Sequence, residues 1–206
     1  MSKQRIRNPV ATRALLLEAG FDEVYRNGFQ AVSIDDDLRR LSVTKGAFFH
    51  HFASKTEFGY ALVDEVIAGM IRAQWVEPLS ISSDPLTTIG DAFEAGAAEL
   101  AKSRVNFGCP LNNLAQEMSP LDDGFRLRTQ HVFEVWMQTY EMALRRGQVG
   151  GAVRKDIDAH AVAFALVAEI EGILSLAKNS QNPRALSIGA QNLRRRLDAL
   201  RPPTVG

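Results

Sequence analysis

The chain has 206 residues, 46% of them apolar, and equal numbers of acidic and basic side chains. This length fits one large or two small domains with a real core, and zero net charge argues against a protein that coats nucleic acid generally. A single cysteine excludes an internal disulfide framework. We find no secretory segment after Met1 and no apolar run near the ~18 residues of a membrane span, so we expect a soluble, cytoplasmic protein.

The N-terminal quarter is basic although the whole chain is neutral. Residues 1–55 carry nine Lys or Arg against six Asp or Glu, and the first thirteen residues hold four basic and no acidic side chains. A basic arm suits contact with phosphates, and a solvated leader is an equal alternative. A first helix is predicted from about Thr12 to Arg26, with Gly28 ending it.

Residues 33–55 predict two short helices around a tight turn. Ser33 is the predicted N-cap of the first helix, and apolar residues recur behind it at helical spacing. Thr44 is placed to cap a second helix, and Ser54 with Glu57 forms a capping box that opens a third. Two helices joined by a turn of a few residues are typical of a helix-turn-helix, whose second helix enters the DNA major groove.

The same stretch resembles a known family. Several short stretches look like the N-terminal domain of the TetR/AcrR regulators. They are Thr12-Arg13, residues 27–29, Ser33-Ile34 and residues 43–52 with Ser54-Lys55. By motif the resemblance covers residues 10–60, and the remainder only by length and helical layout. It implies a ligand-responsive transcriptional regulator without a cofactor, usually a repressor, which binds a palindromic operator as a homodimer and is released by a small molecule.

The second helix of the motif holds the main candidates for DNA contact. Its first residues, Lys45, Gly46 and Ala47, let the backbone approach closely, and Lys45 is placed to meet a guanine edge or a phosphate. With the positions implied by the resemblance, the predicted set is Ser33, Asp35, Thr44, Lys45, Gly46, Ala47, Phe49, His50, His51 and Lys55. Phe48 and Phe52 are expected in the core. No metal is expected at the two adjacent histidines, because neighbouring side chains diverge by about 100° on a helix.

Four residues depart from the family pattern. Phe49 replaces a usual Tyr, which removes a hydroxyl–phosphate bond, and Ser42 replaces a turn glycine. Asp35 either repels phosphate or accepts from a cytosine amino group. Asp37 stands where an apolar residue is usual, so we expect it to pair with a neighbouring arginine or to be exposed.

The remainder predicts helices throughout and no convincing strand. We therefore expect an all-α fold of about nine helices, with a helix-turn-helix domain over residues 1–56 and an effector-binding and dimerisation domain over 57–206. The predicted later helices cover residues 57–75, 85–103, 110–118, 122–146, 158–178 and 183–200, with a break from Pro78 to Pro85 and a loop over 147–151. The helix at 158–178 is apolar nearly all round and is expected to be buried on most sides.

Candidate ligand residues lie around the short helix and on the long one. They are Phe107, Cys109, Leu111, Asn112, Asn113, His131, Phe133, Trp136, Met137 and Tyr140. Apolar and aromatic walls with a few polar groups form small-molecule pockets, but ordinary core is an equally good interpretation. Cys109, the only thiol, is either a sensor of electrophiles or a small buried apolar residue.

The last two helices offer a surface for a second copy of the chain. The predicted dimer residues are Ala161, Ala165, Ala168, Gly172, Leu193 and Leu197. Small residues at helical spacing allow close helix approach, and a palindromic DNA site needs a two-fold protein. Packing inside one chain is the alternative.

Two other functions compete with the regulator. A small-molecule enzyme is disfavoured, since no G-x-S-x-G, H-E-x-x-H, P-loop or G-x-G-x-x-G string occurs and Glu169 and Glu171 diverge on their helix. A helical interaction protein that has lost DNA binding is conceivable because of the acidic run Asp35–Asp37.

Overall fold

The chain is helical through most of the part that the structure describes. The structure is a computed structural model and describes residues 9–34, 43–104 and 107–203. The helices in these residues are α1 (Pro9–Asn27), α2 (Lys45–His51), α3 (55–80), α4 (Pro85–Glu99), α5 (Pro110–Met118), α6 (Asp123–Gly150), α7 (Ala159–Ser180) and α8 (Arg184–Asp198). No strand occurs in the described ranges, and the predicted all-α class is confirmed. The basic arm and most of the predicted first helix of the motif, residues 35–42, lie outside them.

Helix α3 alternates between α-helical and π-helical turns. Its segments are Lys55–Ala61, the π-helical Leu62–Ile67, Ala68–Ile71, the π-helical Arg72–Val76 and Glu77–Ser80. The helix therefore runs past the break predicted at Pro78. Proline lacks a backbone N–H, and Pro78 lies in the first turn after a π-helical segment, where the regular hydrogen-bond pattern already changes. A π-helical turn, Leu100–Arg104, also follows α4.

Several helix ends follow the predicted capping residues. Gly28 ends α1 with a φ of 85°, and its N–H donates to the Val24 carbonyl at 2.9 Å. The Ser54 hydroxyl accepts from the Glu57 N–H at 3.0 Å, and Asp84 accepts from the Thr87 N–H at 3.3 Å. The helix ends predicted at Gly28 and Ser54 are confirmed, and Asp84 caps α4 in the same way.

The chain divides into two compact units. The first comprises residues 1–68 with 113–129, and the second comprises residues 69–112 with 130–206. Helices α3, α5 and α6 each contribute residues to both units. The predicted domain boundary after residue 56 falls at the start of α3 and stays a prediction.

Aromatic rings build the core of the first unit. Phe48, Phe52 and Phe58, here called the aromatic cluster, are buried with ring centroids 5.0–5.5 Å apart. Phe58 packs so tightly on α1 that a Cβ at Gly20 would lie 2.1 Å from its ring, so no larger residue fits there. The prediction that Phe48 and Phe52 point inward is confirmed by this packing.

The second unit packs α8 against α4 and α7. Leu186, Leu193 and Leu197 on α8 are buried in this contact. At its edge, the Arg194 guanidinium lies 2.8 Å from carboxylates of both Asp91 and Glu94 on α4. An apolar seam flanked by charge-assisted bonds therefore fixes α8.

Helix α7 is buried on one side only. By length and composition alone, with a mean hydropathy of 1.6, it could cross a membrane. Within its most apolar 18-residue stretch, 39% is buried inside the fold. Its buried residues contact α8, whereas Phe164 and Leu176 are exposed. The prediction of burial on most sides is therefore wrong, because one apolar face of α7 lacks a covering element within the described residues.

Candidate functional site

Helix α2 presents a row of candidate residues to solvent. Thr44 caps it, its hydroxyl accepting from the Ala47 N–H at 3.2 Å. Lys45, Gly46 and Phe49 are exposed, and Phe49 keeps 53% of its surface accessible. A Cβ at Gly46 would meet nothing within 4 Å, so the first turn of α2 has open space in front of it. Lys45 and Phe49 are four residues apart and therefore lie on the same face.

The aromatic cluster fixes the direction of that face. Phe48 is 2% exposed and packs its ring edge-on against Phe58. Since Phe48 lies one residue before Phe49, its burial turns Phe49 outward. The core of the first unit thereby decides which side of α2 meets a partner.

The two adjacent histidines differ in setting. His50 is exposed and His51 is half-buried, with their ring centroids 5.1 Å apart. Burial, followed by the charges of His50 and Arg13, holds the pKa of His51 below its usual 6.5. At neutral pH His51 is therefore an uncharged hydrogen-bonding group. Among the described residues no group of three or more His, Cys, Asp or Glu is arranged to hold a metal ion.

Lys55 serves the fold of the first unit. Its ammonium donates to the carbonyls of Gln30 at 3.1 Å and Val32 at 2.6 Å, and lies 4.9 Å from the centre of the Phe29 ring. The predicted DNA contact by Lys55 therefore competes with two hydrogen bonds to backbone. Ser33 is exposed, and Asp35 lies outside the described residues.

The segment that Lys55 holds is also held from its other side. The Glu117 carboxylate accepts from the N–H of Phe29 at 2.9 Å and of Gln30 at 2.8 Å. Lys55 thus binds the carbonyls, and Glu117 the N–H groups, of the chain leading from α1 to the helix-turn-helix. Sequence reasoning missed Glu117, because 88 residues separate it from Phe29 and no local pattern links them.

A polar cleft of about 370 Å³ opens in the first unit. Two ion pairs line it, Arg13 with Glu65 and Arg128 with Asp64, the second at 3.0 Å. Their charges satisfy one another. Charged and polar side chains dominate its lining, although Phe52, Ala53 and Ala61 also contribute to it.

The predicted ligand residues divide by burial. Cys109, Leu111, Trp136 and Tyr140 are buried, whereas Phe107, Asn112, Asn113, Phe133 and Met137 are half-buried. His131 is exposed, so its predicted place in a pocket wall is not supported by its burial. Asn113 belongs to the first unit and the others to the second.

Stacked aromatic rings form the centre of the second unit. The indole rings of Trp75 and Trp136 are stacked with centroids 5.0 Å apart, and Tyr140 lies edge-on to both. The buried atoms Trp136 Nε1, Tyr140 OH and both Glu171 carboxylate oxygens have no hydrogen-bond partner of normal geometry in the described part of the chain. Trp136 nevertheless acts on the Tyr140 hydroxyl, and the Cys109 thiol on the Glu171 carboxyl, as hydrogen-bonding neighbours. The polar groups of this core are therefore poorly satisfied rather than isolated.

Glu171 is a residue that the sequence analysis set aside. It is 8% exposed, and burial raises its pKa to about 7, with the neighbouring Cys109 thiol offsetting part of the rise. A charged residue within an apolar helix was the available signal. The divergence of Glu169 and Glu171 on their helix keeps the two carboxylates from pairing but does not bear on burial.

Cys109 is buried beside this carboxyl. Burial, followed by the charge of Glu171, raises the pKa of the thiol well above its usual value. A protonated, inaccessible thiol is a poor nucleophile. This setting favours the small apolar residue over the electrophile sensor.

The predicted dimer residues separate into two groups. Ala161, Ala168 and Gly172 are exposed on α7, and Ala165 is half-buried. Leu193 and Leu197 are each 1% exposed within the single chain. They belong to the core of the second unit, because α8 turns its leucines toward α4 and α7. They are therefore corrected from surface to core residues.

A short helix with a cationic, exposed face on an aromatic core, in an otherwise helical chain, is the architecture of a helix-turn-helix transcription regulator. Known proteins match most of the chain. Residues 16–59 match the family described as bacterial regulatory proteins, tetR family, and residues 85–193 match the tetracyclin repressor-like C-terminal domain. The chain belongs to the TetR family. It is thus a DNA-binding transcription regulator of the ligand-responsive type and not an enzyme, as predicted.

Individual relatives agree with this assignment. The chain is 30% identical over 171 residues to the transcriptional regulator AcuR of Cereibacter sphaeroides, which covers 83% of this chain and 78% of that protein. It is 28% identical over 180 residues to the repressor DhaR of Mycobacterium sp., covering 87% and 88%. The crystal structure of regulatory protein TetR from Rhodobacter sphaeroides is similar with a TM-score of 0.80 and 28% identity, over 89% of this chain and 97% of that one.

Proposed function

We propose that the protein is a homodimeric repressor that binds a palindromic operator through α2 and is released when a small molecule enters its second unit. The exposed face of Lys45, Gly46 and Phe49 carries this proposal, because it is the part of α2 that the aromatic cluster leaves available. The similarity to DhaR, which is named a repressor, supports the direction of regulation. Such a protein acts in the cytoplasm, where the DNA is.

DNA recognition rests on the chemistry of that face. Lys45 supplies a cation for a guanine edge or a phosphate, and the open space over Gly46 admits a base or backbone. Phe49 supplies an exposed ring for a thymine methyl group or a sugar. His50 adds a polar group one residue further along, whereas Lys55 acts by holding the preceding segment.

Dimerisation rests on the exposed apolar face of α7 and α8. Phe164, Leu176 and Ile188 are exposed large apolar residues on these two helices. A Cβ at Gly172 would meet nothing within 4 Å, so a second helix has room to approach at this point. A two-fold dimer presents two copies of α2, which must lie about 34–36 Å apart to enter successive major grooves.

Release by an effector requires that the ligand prefer the state that does not bind DNA. The poorly satisfied polar atoms and stacked rings of the second unit support a ligand site there. Helix α5 supports the coupling. Near its start Asn112 donates to the Ser175 hydroxyl at 3.2 Å, and near its end Glu117 holds the segment before the helix-turn-helix.

The test is binding to the DNA upstream of the protein's own gene, measured by fluorescence anisotropy across a salt series. We expect saturable binding that weakens steeply with salt. If Lys45 meets a phosphate, Lys45→Ala should reduce the slope of the logarithm of affinity against the logarithm of salt concentration by about one. Lys155→Ala is the matched control, since Lys155 is an exposed lysine in the second unit. Equal weak binding to scrambled DNA would favour the helical interaction protein.

A further inference from the structure

The segment between α1 and the helix-turn-helix is held by a side chain from far along the chain. This connecting segment, residues 28–32, contains a turn and no helix or strand. The Glu117 carboxylate on α5 accepts from it with both oxygens: Oε2 from the Phe29 N–H at 2.9 Å and Oε1 from the Gln30 N–H at 2.8 Å. Two bonds to one carboxylate fix the orientation of the segment as well as its distance from α5.

The connecting segment is shaped to receive this carboxylate. A Cβ at Gly28 would lie 3.1 Å from Glu117 Oε2 and 3.3 Å from Oε1, so the glycine leaves the space that the carboxylate occupies. The next residue, Phe29, is 5% exposed, and its ring packs edge-on against Phe125 of α6 with centroids 4.7 Å apart. Residues of α5 and α6 therefore hold the segment by its backbone and by a buried ring.

These contacts make the end of α5 and the start of α6 part of the unit that carries α2. Residues 113–129 belong to the same compact unit as residues 1–68. The family model of the N-terminal part, in contrast, matches residues 16–59. Lys55 holds the carbonyls of the connecting segment, but it lies within the matched stretch. The N–H groups of the segment therefore depend on a part of the chain outside that stretch.

We propose that Glu117 is a positioning residue for DNA binding, whose carboxylate holds the connecting segment in the place from which the helix-turn-helix fits the operator. Glu117 acts through the backbone of residues 29 and 30 and not by touching DNA. This inference rests on the proposed function, because it names how α5 controls the DNA-binding face of α2. A ligand that moves α5 would withdraw the carboxylate from the two N–H groups and so lower the affinity for the operator.

Charge and position predict opposite effects when Glu117 is replaced. DNA is a polyanion, so removing a carboxylate from the DNA-binding unit should strengthen binding if only its charge matters. Removing a positioning contact should weaken binding. We expect Glu117→Ala to bind the operator on the order of ten-fold more weakly than the wild type. Glu117→Gln should lie between the two, because its amide keeps one acceptor oxygen.

Asp84→Ala is the matched control. It also removes one carboxylate, which accepts from the Thr87 N–H at 3.3 Å and from the Thr87 hydroxyl at 2.8 Å, but it does so in the second unit. Operator binding is measured by fluorescence anisotropy at a temperature at which circular dichroism shows each variant to be folded. We expect Asp84→Ala to bind like the wild type. If Glu117→Ala does not fold, Glu117→Gln decides the test.

Amide hydrogen exchange reads the same contact without DNA, because it reports the opening of individual segments. Peptides that cover the connecting segment should exchange faster in Glu117→Ala than in the wild type, and by a smaller factor in Glu117→Gln. Asp84→Ala should leave their exchange unchanged. Exchange in Glu117→Ala that equals that of the wild type would overturn the proposal, because the carboxylate would then not hold the segment.

The outcomes separate this inference from the proposed function. Operator affinity in Glu117→Ala that equals or exceeds that of the wild type would overturn the inference alone, as would a loss no larger than that in Asp84→Ala. A change in the salt slope would also overturn it, because Glu117 would then act on phosphate contacts and not on position. Wild-type protein that binds scrambled DNA equally well would contradict the proposed function itself.

Discussion

Replacing Glu117 by Ala should destabilise the protein by about 2 kcal/mol. The carboxylate accepts two backbone N–H groups, at 2.9 Å from Phe29 and 2.8 Å from Gln30. Hydrogen bonds to a charged group contribute roughly 1.5–3 kcal/mol each. Phe29 is buried, so its N–H would lose a partner that water replaces poorly, whereas the exposed Gln30 N–H would turn to water and contribute little.

The assay is urea unfolding followed by circular dichroism at neutral pH. A loss of 2 kcal/mol corresponds to a fall of roughly 4–8 °C in melting temperature for a chain of this size. Glu117→Gln should lose less, because its amide keeps one acceptor oxygen. Gln116→Ala is the control, since Gln116 is exposed on the same helix. A change below about 0.5 kcal/mol in Glu117→Ala, or one equal to the control, would show that Glu117 does not hold this segment.

Three further predictions follow from the described contacts. Gly172→Leu should weaken the dimer at least ten-fold by sedimentation equilibrium, while Gly69→Leu, at an equally open position, should not. Lys55→Met should lower the melting temperature and leave the salt slope of DNA binding nearly unchanged, the reverse of Lys45→Ala. Glu171→Gln should stabilise the protein more at pH 8 than at pH 5 in thermal unfolding.

The sign of the last prediction comes from proton linkage. Burial raises the pKa of Glu171 from 4.5 to about 7, so the folded protein binds the proton more tightly than the unfolded chain. Stability is therefore lost as pH rises between these two values, and the loss is complete above about pH 7. Removing the titrating group removes that loss. An equal gain at both pH values would show that the charge is not involved.

Contradicting results for the other two are equally specific. An unchanged dimer in Gly172→Leu would place the interface elsewhere than the small-residue face of α7. A normal melting temperature in Lys55→Met together with a reduced salt slope would return Lys55 to the DNA-contacting set.

Local signals in the sequence were sufficient for the end of α1 and the starts of α2 and α3. Thr44, Ser54 and Gly28 form hydrogen bonds with residues three or four positions away in the chain. The helix ends that they form could therefore be predicted. Phe48 on α2 and Phe52, its C-cap residue, lie four residues apart, a spacing that indicates burial on one side. Side chains whose partners are close in the chain are readable in this way.

Contacts between distant residues could not be read from one sequence. Glu117 meets Phe29 across 88 residues, and Lys55 meets Val32 across 23. The loop predicted to begin at Gly147 is instead the end of α6. A Cβ at Gly147 would lie 2.5 Å from Val153 Cγ2, so the glycine serves close packing within a helix and does not mark its end. A glycine alone does not distinguish these two uses.

Hydroxyl-radical footprinting of the DNA upstream of the gene would show directly whether two copies of α2 bind the DNA. Two copies of α2 related by two-fold symmetry should protect two stretches whose centres are about 10–10.5 base pairs apart. Lys45→Ala should lose both stretches together at the protein concentration at which Lys155→Ala retains them. A single stretch, or protection that Lys45→Ala leaves intact, would contradict a dimeric regulator that reads DNA through this face of α2.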